Sequence, residues 1–563
     1  MELTNEQNKL IESNGNTILK AGPGSGKTLS LVALINKRLE KWKKEYKGIA
    51  ILSFCNSSVE ELKDKIGNII DYPHYIGTID GFVEKYIFYP FSPNLFFKNK
   101  DKAKIITNDT YFSDLKDKSY FRKECYKCNN SINDILIDTD GKIKAPKEKC
   151  IGNNQPCIRY KKTVLQRNCV TYDDAMAIAI LIIKKYPKII KLLAKRFPLI
   201  IIDEAQDTSK NQMELIEQFE ISGSTIIIVG DSDQAIYEWR KATPEIFINK
   251  YYNSDYNKIE FLENHRSSQN ICNATYKFST LSKTAIAVGE FKDYNEKPII
   301  IFYENVKQAI DFFYKYCEEK KIDSKKRKIL VRGRNDVESN PYCDIQELWK
   351  NETTEGLVKV TLLKSNGKIN EARDILQKIL FELIFKETVT NVEEKINVIL
   401  KEYNIEQWNR IVNDFLREIP SSNIILKQWE ELMQEKLNKL LETKNEKYIK
   451  IKRNSQNNQT KDFKEKELYY FDKENTNNSL AISTIHSAKG KTYEAIMLII
   501  KQRGKLTFNS LNRECNETEE IRTAYVAMTR PQKILIMALP KSVKRNFEKS
   551  TKFDKKFWSY IDL

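Results

Sequence analysis

Residues Ala21 to Thr28 read AGPGSGKT, and Leu199 to Ser209 read LIIIDEAQDTS. In the first stretch Gly22, Gly24 and Gly26 permit backbone geometry that turns several N–H groups toward one anion. A buried strand ends at Ile18–Lys20 just before it, and a helix is expected to begin near Lys27. Ala21, Gly22, Gly24, Ser25 and Gly26 thus read as a phosphate cradle. Lys27 reaches the β- and γ-phosphates, and the Thr28 hydroxyl is small enough to enter the inner shell of Mg2+. In the second stretch four apolar residues form a buried parallel strand that ends in two adjacent carboxylates. Asp203 is placed to hold the metal through water, and Glu204 to polarise an attacking water. Taken together, the two stretches imply a chain that binds ATP with Mg2+ and hydrolyses it.

Working outward, strand-like runs recur at Thr17–Lys20, Ala50–Phe54, Leu199–Ile202 and Thr225–Val229, each followed by a motif and a helical pattern. That alternation is the mark of a doubly wound α/β sheet with its working residues at the carboxyl ends of strands. A second set at Lys258–Leu262, Lys328–Val331, Ala481–Thr484, Ala495–Ile500 and Ile534–Ala538 predicts a second parallel-sheet core. Polar, Lys-rich sequence with a bunch of cysteines separates members of the first set, and Leu/Ile at helical spacing separates members of the second. The expected organisation is a first core over 1–87 and 171–257, interrupted by an insertion over 88–170. A second core follows over 258–342 and 479–563, interrupted by a helical insertion over 343–478. Within the latter, 453–478 is rich in Asn, Lys and Glu and reads as a solvated linker.

The chain has 563 residues, with 94 Lys and Arg against 77 Asp and Glu, a formal charge of +17. Its length allows several cores, and the basic balance favours a polyanionic partner such as nucleic acid. The opening MELTNEQNKL has no apolar signal region, and no run approaches the ~18 apolar residues of a membrane span. A cytoplasmic location without membrane association is therefore expected.

The order of motifs resembles the UvrD/Rep (superfamily 1A) DNA helicases, which implies two RecA-like motor cores. LTNEQ at Leu3–Gln7 is similar to the family's Q motif, so the resemblance implies that Gln7 hydrogen-bonds the adenine edge. GDSDQAIYEWRKA at Gly230–Ala242 resembles GDxDQxIYxWRGA. By that likeness Gln234 contacts the γ-phosphate, Trp239 stacks on a DNA base and Arg240 couples the two. ENHRS at Glu263–Ser267 resembles NYRS, and TAYVAMTR at Thr523–Arg530 resembles AYVAxTR. Arg266 and Arg530 are thereby implied to reach the γ-phosphate from the second core, with Arg522 in a supporting position. DNA contacts are implied at Phe54, Asn56 and Thr78, and in TIHSAKG at Thr484, His486, Ser487, Lys489 and Gly490. These residue types suit phosphate and sugar more than base edges, so binding independent of sequence is expected. For His486 a packed histidine bonded to a backbone carbonyl is the alternative.

The chain departs from the family pattern at four places. Leu29 stands where the family commonly has Arg and His265 where it has Tyr, both at positions that sandwich adenine. Thr492 stands where a ribose-contacting Glu is expected, with Glu494 two residues on. Asp80, in GTIDG, replaces a DNA-facing side chain.

Cys125-x2-Cys128 and Cys150-x6-Cys157 bring four thiols into the first insertion. Four thiolates suit tetrahedral zinc or an iron–sulfur cluster, and ordinary reduced thiols are the third reading. Lys123, Lys127, Lys147, Lys149, Arg159, Lys161 and Lys162 are basic neighbours that could meet a duplex.

These observations predict an ATP- and Mg2+-dependent motor on single-stranded and tailed duplex DNA, of 3′ to 5′ polarity by resemblance, serving repair, recombination or anti-phage defence. A DNA-sensing ATPase that regulates a separate nuclease subunit is the alternative, and an RNA motor a third. No nuclease motif is visible after the last helicase motif.

Overall fold

β1 (Thr17–Ala21) is buried along its whole length and lies inside the first sheet of the computed structural model. The structure describes residues 3–43, 46–66, 72–97, 103–106, 135–144, 155–237, 242–333, 351–386, 398–400, 402–443, 446–450, 467–468, 482–513 and 517–563. β2 (Ile49–Ser53), β3 (Tyr75–Thr78), β4 (Leu199–Ile202), β5 (Thr225–Gly230) and β6 (Asn257–Phe261) complete the sheet in the order β6-β1-β5-β4-β2-β3. Every pairing in it is parallel, so each connection is a crossover. Neighbouring residues of one strand feed opposite faces. Ile18 and Ile200 enter one apolar cluster with Phe82 and Phe219, while Leu19 and Ile201 enter another with Leu34 and Ile35. α1 (Asn5–Glu12), α2 (Lys27–Glu40) and α3 (Asn56–Ile66) belong to this core.

One strand is not where the sequence pattern placed it. Lys258–Leu262 reads as the first strand of the second core, but Asn257–Phe261 pairs with β1 at the edge of the first sheet. An apolar run shows that a strand exists; which sheet accepts it depends on how the preceding helix, Pro244–Asn253, returns the chain.

The second sheet contains β7 (Ile299–Tyr303), β8 (Arg327–Val331), β9 (Ile482–Thr484), β10 (Tyr493–Ile499), β11 (Pro531–Pro540) and β12 (Ser559–Asp562), in the order β9-β8-β10-β11-β7-β12. β7 and β12 were not among the runs singled out in the sequence. Its core holds Ile300, Leu330, Ile496, Val526 and Met537.

Between β3 and β4, α4 (Tyr172–Lys185) packs beside the helix Gln155–Gln166. Lys161 and Asp174 join these two helices in an ion pair of 2.5 Å with both side chains fully buried. Asp174 also accepts hydrogen bonds from the N–H and hydroxyl of Thr171 (2.9 and 2.8 Å) and from the N–H of Ile137 (3.2 Å). Lys161 is therefore a structural cation and not a surface group facing a duplex.

The first sheet and all of the second but the first two residues of β9 fall within one compact unit, and Gly333–Ser483 lies in another. The second unit is helical where described. α5 (Glu352–Ser365), α6 (Ile369–Phe385), α7 (Ile405–Arg417) and α8 (Leu426–Leu440) enclose Leu357, Leu376, Trp408 and Trp429. The indole of Trp429 donates to the Thr361 hydroxyl at 3.2 Å. Among the described residues no helix is long and apolar enough to cross a membrane.

Candidate nucleotide cleft

The loop from Gly22 to Lys27 joins β1 to α2, and its shape depends on glycine at two places. Gly24 and Gly26 have φ of +70° and +76°, where an L side chain is strained. A Cβ at Gly24 would also lie 2.7 Å from Asn264 Oδ1 and 2.8 Å from Arg266 Cβ. The loop is thus pressed against the segment leaving β6. Gly22 N–H donates to the Phe261 carbonyl (3.2 Å), and His265 N–H donates to the Gly24 carbonyl (2.8 Å). Asn264 fixes that segment in turn, its Oδ1 accepting the N–H groups of Arg266 and Ser267 at 2.8 and 2.9 Å.

Opposite the loop, β4 ends in Asp203 and Glu204. Glu204 is held at a left-handed φ of +53°. It pairs with Lys27 Nζ, and its other oxygen accepts from the Gln206 amide. Lys27 lies 3.9 Å from Asp203. Gln206 passes the linkage to β5, its Oε1 accepting the Asp231 N–H at 2.9 Å. Asp231 accepts from the Gln234 amide, and Gln234 Oε1 accepts from Arg530. Arg266 Nη1 donates to the Thr529 carbonyl at 3.0 Å, beside Arg530. Lys489 Nζ donates to Asp207 Oδ2 (2.7 Å) and to the Gln234 carbonyl (3.2 Å), and lies 3.8 Å from Glu204. Every catalytic residue expected from the sequence, Lys27, Asp203, Glu204, Gln234, Arg266 and Arg530, therefore meets in one network contributed by both sheets.

Burial and mutual repulsion set the charge states. Burial, then the nearby Glu204, raises Asp203; burial raises Asp207. Burial, reinforced by Asp233, pushes Asp231 up to about 7. Glu204 goes the other way, because Lys27 and Lys489 overcome its burial and keep it ionised. Lys27 is raised despite burial by Glu204 and Asp203. Burial and the neighbouring Arg530 pull Arg266 down to about 9, still protonated at neutral pH.

An open cleft of about 660 Å³ runs between these groups, lined by the phosphate loop, Thr28, Leu29, Cys55, Glu204, Asp207, His265, Arg266, Lys489, Thr492 and Arg530 among others. The Ser25 hydroxyl and Asp207 Oδ1 are buried beside it with no hydrogen-bond partner. Buried polar atoms of that kind call for a ligand. A glycine cradle with an adjacent Lys-Thr and a strand-end carboxylate is a donor set that fits a nucleotide triphosphate with Mg2+.

Leu29 and His265 line this same cleft. Gln7 does not line it. Its Oε1 accepts from Thr4 N–H (3.0 Å) and its amide donates to the Ser25 carbonyl (3.2 Å), so it braces the phosphate loop. Glu494 also stays out of the cleft, held by Lys326 and Lys533 at 2.8 Å each.

The residues assigned to nucleic acid divide into groups. Phe54 stacks on Tyr237 with ring centroids 5.8 Å apart. Asn56 opens α3. Thr78 and Thr484 end β3 and β9 and cap the short helices that follow, accepting from Gly81 N–H (3.0 Å) and Ser487 N–H (3.4 Å). The Ser487 hydroxyl donates to the Thr484 carbonyl at 2.8 Å. His486 Nε2 sits 3.2 Å from the Ile236 carbonyl, the packed arrangement given above as its alternative. Lys489, expected among the strand contacts, points into the nucleotide cleft instead, because Asp207 is the nearest buried carboxylate. Trp239 and Arg240 lie outside the described residues. So do Cys125, Cys128 and Cys150; Cys157 is fully buried near Ile135, Ile143 and Tyr160. Among the described residues no group of three or more His, Cys, Asp or Glu side chains is arranged to hold a metal.

Sequence reasoning passed over Gln206, Asp207, Asp231 and Tyr237. Their signal was position. Each lies within a few residues of the carboxyl end of a buried parallel strand, where such folds gather their chemistry.

A phosphate loop and strand-end carboxylates on one parallel sheet, met by Arg530 just before a strand of a second and by Arg266 on the segment that leaves the first and bonds the Thr529 carbonyl, define a two-core P-loop nucleotide-binding protein. The UvrD/REP helicase N-terminal domain matches residues 3–255, and the UvrD-like helicase C-terminal domain matches residues 363–542. The chain belongs to the UvrD/Rep-like helicase family. It is similar to Gabija protein GajB of Bacillus cereus (strain VD045), 28% identical over 334 residues, or 58% of each chain. It is also similar to ATP-dependent DNA helicase Rep of Buchnera aphidicola, 26% identical over 49% of this chain and 44% of the relative. With ATP-dependent DNA helicase PcrA of Staphylococcus aureus it shares 22% identity over 65% of this chain and 50% of the relative. The matches thus span about half the length of these relatives.

Proposed function

We propose that this chain is an ATP-hydrolysing motor that moves on single-stranded DNA, 3′ to 5′, and separates duplex ahead of it. The observation that carries this reading is the bond between Gln234 of the first core and Arg530 of the second, at the end of a network that starts at Lys27. A cleft with groups from both cores makes hydrolysis and core closure one event.

In this reading Lys27 and the loop N–H groups bind the triphosphate, which first requires Lys27 to leave Glu204. Mg2+, when bound by Thr28 and Asp203, neutralises phosphate charge. Glu204, kept ionised by its lysine neighbours, orients the attacking water and accepts its proton. Arg266 and Arg530 offer planar forks of donors to the charge that develops on the γ-phosphate, an effect worth ~10³ or more in rate. Lys489 neutralises Asp207 until strand or nucleotide binding rearranges the TIHSAKG segment. Phe54 and Tyr237 stand beside that segment, and with Trp239 they are the proposed stacking surface for bases.

The biological setting we favour is DNA repair, recombination or anti-phage defence, the last because of the likeness to a protein named Gabija protein GajB. The test is an ATPase assay with single-stranded DNA, duplex and RNA, followed by unwinding of 3′- and 5′-tailed duplexes. Stimulation by single-stranded DNA and unwinding of the 3′-tailed substrate are expected. Strong stimulation without unwinding would make the chain a DNA-sensing ATPase that serves a separate nuclease, and stimulation by RNA alone would sink both.

A further inference from the structure

Residues Ser279 to Ser282 belong to none of the motifs used above, yet they lie across the carboxyl ends of three neighbouring strands, β6, β1 and β5. Each strand end, or the turn that follows it, holds them by one side chain. From β5, Asp233 is buried and sits next to the γ-phosphate sensor Gln234. Its Oδ2 accepts the Ser279 hydroxyl (2.8 Å) and the Thr280 N–H (2.7 Å), and its Oδ1 accepts the Thr280 hydroxyl (2.6 Å). From β1, Lys20 directly precedes the phosphate loop. It is almost wholly buried, donates to the Thr280 carbonyl and lies 3.6 Å from Glu260. From β6, Glu260 accepts the N–H (3.1 Å) and hydroxyl of Ser282. Between these anchors Leu281 packs on the phosphate loop itself, close enough that a Cβ at Gly22 would stand 3.1 Å from it.

The other end of the segment is set in the second core. Phe278, just before Ser279, is fully buried in the cluster that contains Ile271, Ala274 and Trp558, and the Trp558 indole donates to the Ala274 carbonyl at 3.3 Å. The four residues therefore bridge the loop that senses the γ-phosphate and the body that carries Arg266 and Arg530. A turn tied by three hydrogen bonds to a neighbouring segment moves with that segment, because breaking the ties would leave the buried Asp233 carboxylate only the long contact from the Ser232 hydroxyl (3.5 Å) and the field of Arg522.

We propose that Ser279 and Thr280 are positioning residues for hydrolysis: through Asp233 they fasten the Gln234 turn to the second core, so that the nucleotide state seen by Gln234 is converted into core closure. The inference rests on the motor reading above.

The test uses full-length chain carrying Ser279→Ala with Thr280→Val, which removes both hydroxyl bonds, keeps the Thr280 N–H and nearly preserves volume. Thr280→Ser serves as the conservative control. KM and kcat for ATP are measured with and without single-stranded DNA, together with thermal unfolding. The double variant should stay folded with a lowered melting temperature, because two bonds to a buried carboxylate are lost, and keep KM within about twofold, while DNA-stimulated kcat falls about tenfold or more, well beyond any fall in basal kcat, and Thr280→Ser stays near wild type. A second measurement does not depend on DNA. A non-hydrolysable ATP analogue should protect the amides around Arg530 from exchange in wild type, and the double variant should bind the analogue without that protection. Wild-type kcat and protection in the folded double variant would overturn the proposal. So would basal and stimulated kcat falling in parallel, which is what a purely structural tie would give. Wild type without DNA stimulation would count against the motor reading alone, since the exchange measurement still decides whether the tie transmits the nucleotide state.

Discussion

At the scale of single residues, the cleft pairs each of its lysines with a carboxylate, Lys27 with Glu204 and Lys489 with Asp207, while Arg266 and Arg530 rest on a backbone carbonyl and an amide oxygen. Lys27→Ala should weaken nucleotide binding, because it removes the charge that reaches the phosphates. Glu204→Gln should leave binding intact while kcat falls by ~10²–10⁴, since the amide cannot take the proton of the attacking water. Equilibrium binding of a fluorescent ATP analogue beside ATPase rates separates the two, and wild-type turnover in Glu204→Gln would remove that residue from its role. Asp231 makes a different prediction. Its partners are Gln234, with Asp233, Lys27 and Glu204 around it and Arg266 and Arg530 opposite. Its folded pKa, raised by burial to about 7, exceeds the ordinary value of 3.8. The folded state therefore holds this proton where the unfolded chain has lost it, so the contribution to stability is full below about pH 4 and is lost as pH rises through about 7. Denaturant midpoints of nucleotide-free protein across that window should fall with rising pH, and Asp231→Asn should flatten the trend.

At the scale of elements, the buried Lys161–Asp174 pair joins the helix Gln155–Gln166 to α4. Lys161→Met alone leaves a buried carboxylate uncompensated and should cost ~3–5 kcal/mol. Adding Asp174→Asn should recover part of that loss, because it removes the uncompensated charge and the amide oxygen still accepts from the N–H and hydroxyl of Thr171, at the expense of the bond from Ile137 N–H. Urea unfolding of the two variants checks it, and equal stability in both would mean that the pair's charge is not what anchors the helix. The same insertion carries the cysteine bunch. If Cys125, Cys128, Cys150 and Cys157 hold one metal, protein purified anaerobically without chelator should contain zinc or an iron–sulfur chromophore. Cys125→Ser with Cys128→Ser should abolish it and leave ATPase largely intact. Protein with neither zinc nor iron would leave reduced thiols.

At the scale of the whole molecule, the proposed motor hydrolyses ATP only when the second core reaches the first. Arg530→Lys keeps the charge but loses the planar fork, so nucleotide affinity, set mainly by the phosphate loop, should change little while hydrolysis falls by ~10³ or more. Steady-state ATPase with direct binding measures the split. A matching loss of affinity would mean that Arg530 grips the nucleotide's ground state and not its transition state.

Much of the design was open to reading in the residues themselves. AGPGSGKT and LIIIDEAQDTS announce the phosphate loop and its acidic partner because glycine at positive φ, a Lys-Thr pair and a strand-end carboxylate are local requirements, met within a few residues of chain. Strand runs such as LIII and TIIIV announce parallel sheets for a similar reason, since burial on both faces needs an unbroken apolar stretch. What the sequence left undecided is long-range. Which sheet takes Asn257–Phe261, whether Lys161 or Lys489 meets solvent, and where the Gln7 amide points all depend on which buried partner lies within bonding distance once the chain has folded. Asp174, Asp207 and the Ser25 carbonyl are those partners, and Asp207 lies 282 residues from the Lys489 it holds. The bridge through Ser279 and Thr280 belongs to the same class. Two hydroxyls in a polar turn carry no signal until tertiary structure brings Asp233 beneath them.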